Sequence, residues 1–291
     1  MHSFFKNAVG KKEILNFYYK KLDTLSFEVD FITVETSFGD TNIITTKNNN
    51  LTPLVLVHGL YSCAPFALDN FKALEQNFKV YAIDILGQPN ISDEIRLNSK
   101  SNEYGKWMYE IISRLHLFNV YLVGYSLGGY MAYKTLAYEE SRIAKAFLIS
   151  PTGFVKGSII KLFFSIYVPL KLYKWKQDSK QLAVIVNALS TEKDAFNLHF
   201  LSKLIANYKF DFLPFVKVKK KEAKRITTPI YIFGAVKDIV VPGNKLIQKA
   251  KKILPSLESV LLLKEGKNQF NTEDKNMITA HILESILKTK E

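Results

Sequence analysis

The stretch Gly124-Tyr125-Ser126-Leu127-Gly128-Gly129 constrains this chain more than any other. Residues 119–123, NVYLV, form an apolar run rich in β-branched and aromatic side chains, which predicts a buried strand. Residues 130–138, YMAYKTLAY, place apolar side chains at helical spacing. Between them the pattern G-x-S-x-G demands a turn too crowded for side chains at the glycines, and it raises the serine hydroxyl above the sheet edge. The helix that starts there aims backbone N–H groups at any negative charge forming on a bound carbonyl. Ser126 is therefore a candidate nucleophile, and the rest of the chain must supply its partners.

The surrounding rhythm predicts an α/β fold. Residues 11–23 read as a helix, and 27–35 and 42–46 as a hairpin at a sheet edge, turning at Phe38-Gly39-Asp40-Thr41. Strands follow at 54–57, ending in His58-Gly59-Leu60, at 79–83, ending in Asp84, and at 143–149; helices are expected near 67–76 and 102–116. Alternating strands and helices imply one open, mostly parallel sheet with helices on both faces. The alternation breaks at Pro151. From there to about Arg225 the pattern is mostly helical, including 179–190 and 192–208, and strands resume at 229–234 and 258–263 before a final helix at 274–288. The expected organisation is one structural domain in three stretches: a core at 1–150, a helical cap or lid at 151–225, and the rest of the core at 226–291.

In this order and on these elements, the motifs resemble the α/β-hydrolase fold family. They are the His58-Gly59-Leu60 strand end, Asp84 with Gly87 and Ser92, the G-Y-S-L-G-G turn, and Gly234-Ala235-Val236-Lys237-Asp238 before Val241-Pro242. FGDTNII, YAIDILG and the Trp107 segment are similar to bacterial carboxylesterase-like members. The resemblance implies Ser126 as nucleophile, Asp238 as the triad acid, and the backbone N–H groups of Leu60 and Leu127 as the oxyanion hole. It implies an ester with an apolar acyl group as substrate, and no cofactor.

The same resemblance calls for a histidine after the last strand. That loop reads Lys264-Glu265-Gly266-Lys267-Asn268-Gln269-Phe270-Asn271-Thr272-Glu273. Counting back from Glu273 puts Asn268 in the histidine position, whereas aligning Phe270 with the aromatic that often follows the histidine selects Gln269. An amide side chain takes up no proton near neutral pH, so neither serves as general base. Loss of the base in a serine hydrolase costs on the order of a millionfold in turnover and leaves roughly a thousandfold from binding and the oxyanion hole. Weak hydrolysis is expected, with a non-catalytic binder of a small apolar ligand or protein partner as the alternative.

Of the five histidines, His2 lies at the terminus, His58 braces the oxyanion loop, His116 closes a helix, and His281 is expected on a solvated helix face. His199, between Phe196 and Phe200 in the cap, is the one candidate for a substitute base. Cys63 reads as a packing residue and Asp84 as a loop-bracing acceptor. No Cys/His metal spacing or dinucleotide-type glycine loop is present.

The net charge of +13 reads as a solvated lysine-rich surface. Its one dense cluster, Lys217 to Arg225, lacks interleaved aromatics, so no nucleic-acid partner is expected. The tract Lys47-Asn48-Asn49-Asn50 reads as a loop tip. The single cysteine and the lack of an apolar signal core or spanning segment point to a cytoplasmic location. The cap segment Ser158–Trp175 mixes large apolar side chains with lysines. Packing against the core is the preferred reading, Pro169 is expected to interrupt the helix, and a membrane surface is the less favoured partner.

Overall fold

A computed structural model describes residues 3–48, 51–192, 194–210 and 217–287. His2 and the Asn49-Asn50 half of the expected loop tip lie outside them. Helix α1 (Ala8–Leu22) precedes the hairpin β1 (Val29–Thr36) and β2 (Gly39–Thr46). Next come β3 (Pro53–Val57), α2 (Ala64–Asn70), a 3-10 turn (Lys72–Gln76), β4 (Lys79–Ile83), α3 (Glu103–Arg114), β5 (Val120–Tyr125), α4 (Leu127–Tyr138) and β6 (Ile143–Ile149). Among the described residues, eight strands form one sheet in the order β1-β2-β4-β3-β5-β6-β7-β8, where β7 is Ile230–Ala235 and β8 is Leu257–Leu263. β2 runs antiparallel to β1 and β4, and the remaining pairs are parallel. This is the expected α/β architecture.

Three local expectations change. Thr36 pairs with Gly39, so the hairpin turns at Ser37-Phe38 and Gly39 already belongs to β2. The helix expected near 67–76 starts earlier, at Ala64, because Pro65 suits a first helical turn. Helix α10 (Gly243–Ile253) has no counterpart among the sequence expectations, although its buried Leu246, Ala250 and Ile253 recur at i, i+4 and i+7.

Strand alternation sends side chains to two cores. Val55 and Val57 pack with Trp107, Met108, Tyr133 and Leu246 under α3, α4 and α10. Leu54 and Leu56 pack with Tyr18, Leu68, Ile278 and Ile282 under α1, α2 and the terminal helix α11 (Thr272–Leu287). Trp107, fully buried, donates its indole N–H to Thr41 Oγ1 at 2.9 Å, so its large apolar body is buried without an orphaned donor.

The β6–β7 crossover is helical: α5 (Ile159–Leu162), a π-helical turn (Phe163–Tyr167), α6 (Val168–Lys176), α7 (Ser179–Leu189), α8 (Ala195–Asn207) and α9 (Lys220–Ala223). Pro169 does not end the helix. The turn before it widens instead, and the Val168 N–H donates to the Phe163 carbonyl five residues back. A widened turn relieves the crowding that a proline ring imposes on the preceding carbonyls. Asp178 and Asp194 cap α7 and α8. Helix α8 leans on α1, where Phe17 meets Phe196 and Phe200. Among the described residues no helix is long and apolar enough to cross a membrane.

Candidate active site

Ser126 sits between β5 and α4 with φ 52° and ψ −109°, and its N–H donates to the Ile149 carbonyl at 2.8 Å. A non-glycine residue at positive φ stores on the order of 1–3 kcal/mol of strain, held in place by its surroundings. The flanking glycines are what allow that turn. A Cβ on Gly124 would lie 2.4 Å from the Gly128 carbonyl oxygen, and one on Gly128 would lie 2.3 Å from the Val57 carbonyl oxygen. The crowded strand–turn–helix read from the sequence is therefore the observed geometry.

Ser126, Leu60, Leu127, Asn268 and Gln269 all line one cavity of about 660 Å³. Leu127 opens α4, and the first N–H groups of a helix have no intrahelical acceptor. Leu60 follows the β3 strand end, where His58 holds the loop. The His58 Nδ1–H donates to the Gly59 carbonyl at 2.7 Å and Nε2 accepts the Ile85 N–H at 3.0 Å, which specifies the neutral tautomer. Burial lowers the His58 pKa to about 4, so the ring stays uncharged at neutral pH. Asp84 ties the next strand end down. It accepts from Ala64 N–H at 2.8 Å, the Tyr18 hydroxyl at 2.7 Å and Asn42 Nδ2 at 2.9 Å. Burial raises its pKa to about 6 against those three donors. Both are bracing groups, as the sequence suggests.

Asp238 is buried on the turn after β7. Its Oδ1 accepts the N–H groups of Val240 at 2.7 Å and Val241 at 2.9 Å. Its Oδ2 accepts Nδ2 of Asn268 at 3.1 Å. Burial raises its pKa, and the donated hydrogen bonds work in the opposite direction. Gln269 makes no such contact: its side chain is exposed and its backbone N–H donates to the Leu189 carbonyl at 2.7 Å. Of the two amides, Asn268 is the one facing the acid.

One residue of the site escaped the sequence reading. The hydroxyl of Tyr125, the first variable position of G-x-S-x-G, donates to the Asn268 carbonyl, and its ring packs against Phe270 at 6.0 Å. Tyr125 and Asp238 thus hold Asn268 from backbone and side chain. The motif marks where Tyr125 sits, but its partner lies 143 residues away, beyond the reach of any local pattern.

His199 is exposed, packs edge-on against Phe17 at 5.1 Å, and is not part of the cavity wall. His281 is half-buried rather than solvated. Its Nε2 lies 3.1 Å from Ser259 Oγ, and its ring packs on Phe233 at 5.6 Å. Cys63 is buried, and burial pushes its thiol well above its ordinary value. No group of three or more His, Cys, Asp or Glu that could hold a metal occurs among the described residues. The far cavity wall carries charge: Lys21 pairs with Asp69 at 3.0 Å, and Lys275, Glu192 and Asp194 also line the space.

Comparison with known proteins agrees with this architecture. The family model for the alpha/beta hydrolase fold matches residues 52–181. The carboxylesterase nap of Bacillus subtilis (strain 168) is 20% identical, aligned over 80% of this chain and 79% of its own length. Carboxylesterase YbfK of the same organism is 32% identical over 46% of this chain, and the aligned part is 45% of that protein. The crystal structure of naproxen esterase from Bacillus subtilis superposes with a TM-score of 0.82 at 18% identity, covering 96% of this chain and 99% of that one. With this sheet order and these structural neighbours, the chain has the α/β-hydrolase fold, and it is similar to carboxylesterase-like proteins that share it.

Proposed function

We propose that this protein is a carboxylesterase-like serine hydrolase of low turnover, acting on esters with an apolar acyl group. Ser126 Oγ attacks the ester carbonyl and loses its proton to water, and the N–H groups of Leu60 and Leu127 receive the oxyanion. Collapse then breaks the C–O bond to release the alcohol and leaves an acyl-enzyme that water hydrolyses. Asp238 is the inherited acid, and Asn268 stands where the base belongs. Residues 151–225 act as the cap, with Leu162, Ile166, Leu170 and Leu204 supplying apolar cavity wall for the acyl chain.

The observation that carries this reading is the Asn268–Asp238 hydrogen bond. It reproduces the donation that an imidazole would make to the acid, with a group that cannot accept the serine proton. Acylation then depends on binding and the oxyanion hole, which sustain roughly a thousandfold over water. The same observation favours a second reading, in which the cavity holds a small apolar ligand without turning it over.

A fluorophosphonate probe separates the two. Slow labelling that disappears in Ser126→Ala supports the attenuated enzyme. Complete resistance of the folded protein to the probe, with apolar ligands still bound, establishes the binder and removes the enzyme reading.

A further inference from the structure

The helical run from Ile159 to Lys176 buries only part of its apolar surface. Leu162, Ile166 and Leu170 face the cavity, and Tyr173 is buried beside Leu182 and Ile205. The other side faces solvent. Ile159 is 78% exposed, Ile160 72%, Phe164 64% and Trp175 76%, with Phe163 and Tyr167 also exposed. Ile160, Phe164 and Tyr167 recur at four- and three-residue spacing, Phe163 packs against both Phe164 and Tyr167, and Trp175 follows about two turns on beyond Lys171; exposed apolar patches of this kind mark contact sites.

Its charge is one-sided. Between Phe154 and Gln177 there are five lysines, Lys156, Lys161, Lys171, Lys174 and Lys176, all exposed, and no Asp or Glu. Lys171 and Lys176 lie over the Tyr167 and Trp175 rings at 5.6 and 4.9 Å. Apolar and aromatic side chains flanked by lysines, on a helix too short to span a bilayer, suit the headgroup region of an anionic membrane. The patch is continuous with the cavity mouth, because Ile159, Phe163 and Tyr167 are both exposed and part of the cavity lining.

We propose that this face docks on an anionic lipid surface and opens the cavity toward it, so that amphiphilic ligands enter from the bilayer. The inference rests on the exposed face and is independent of the serine chemistry.

The chain has two tryptophans, Trp107 fully buried and Trp175 on the exposed face, so Trp175 reports docking. Vesicles of phosphatidylcholine with phosphatidylglycerol, at low salt, are expected to blue-shift its emission and to co-sediment the protein. Pure phosphatidylcholine, or raised salt, is expected to weaken partitioning about tenfold. The double variant Ile160→Ser/Phe164→Ser, at two positions off the cavity wall, is expected to lose at least about tenfold in partitioning, with the circular dichroism spectrum and fluorophosphonate labelling of wild type. Absence of both the shift and co-sedimentation overturns the proposal. So does a blue shift that grows with protein concentration without vesicles, which assigns the face to self-association.

Discussion

An asparagine and a histidine can each donate one hydrogen bond to a carboxylate, but only the histidine can also take a proton from a serine. That difference is concentrated at Asn268. Its amide faces Asp238 and its carbonyl is held by Tyr125, so an imidazole placed there inherits an acid already in position. Asn268→His is expected to raise p-nitrophenyl-ester turnover by at least about a hundredfold. The gained rate should fall below the imidazole pKa near 6.5, because the base works only when neutral. Unchanged turnover in a folded variant would mean that the imidazole does not reach Ser126. The resemblance to the family placed an amide, Asn268 or Gln269, where a histidine is expected. The choice between the two was not legible, since it depends on which amide the turn after β7 meets.

The elements that build the site follow from local chemistry to different degrees. The β5–α4 turn was readable because no residue but glycine fits beside carbonyls at 2.4 and 2.3 Å. Gly124→Ala is expected to cost more than about 3 kcal/mol, or to prevent folding, because the clash is with backbone that cannot step aside. Urea unfolding measures this, and a cost under about 1 kcal/mol would show that the turn can relax. Helix α10 was not anticipated although its apolar spacing is regular, because four lysines and a glutamine stand between its few apolar positions. Pro169 misled in the other direction. It was taken to interrupt a helix that continues through a widened turn, an accommodation that neighbouring helices stabilise and sequence does not record.

At the scale of the whole molecule, two buried titrating groups brace the strand ends that shape the cavity. Their effects on stability oppose one another. The His58 pKa falls from 6.5 to about 4 on folding, so its contribution is present above 6.5 and is lost as pH falls toward 4. The Asp84 pKa rises from 3.8 to about 6, so its contribution is present below 3.8 and is lost as pH rises through 6. Each amounts to about 3 kcal/mol across its window, and between about pH 4 and 6 the two slopes largely offset. Asp84→Asn removes the group that favours the acid side. Its unfolding free energy is expected to drop more steeply than that of wild type on acidification across that window. Parallel profiles in urea titrations would show that Asp84 does not titrate in the fold.

What could be read from the chain alone was whatever has a local cause. Strand and helix periodicity, the glycine-bound serine and the two neighbouring amides Asn268 and Gln269 are all written within short stretches. The clamp of Tyr125 on Asn268, the half-burial of His281 against Phe233, the removal of His199 from the cavity wall and the apolar side chains left bare between Ile159 and Trp175 depend on which surfaces meet. Those outcomes come from packing between residues distant in sequence, and they exist only once the sheet and its helices have assembled.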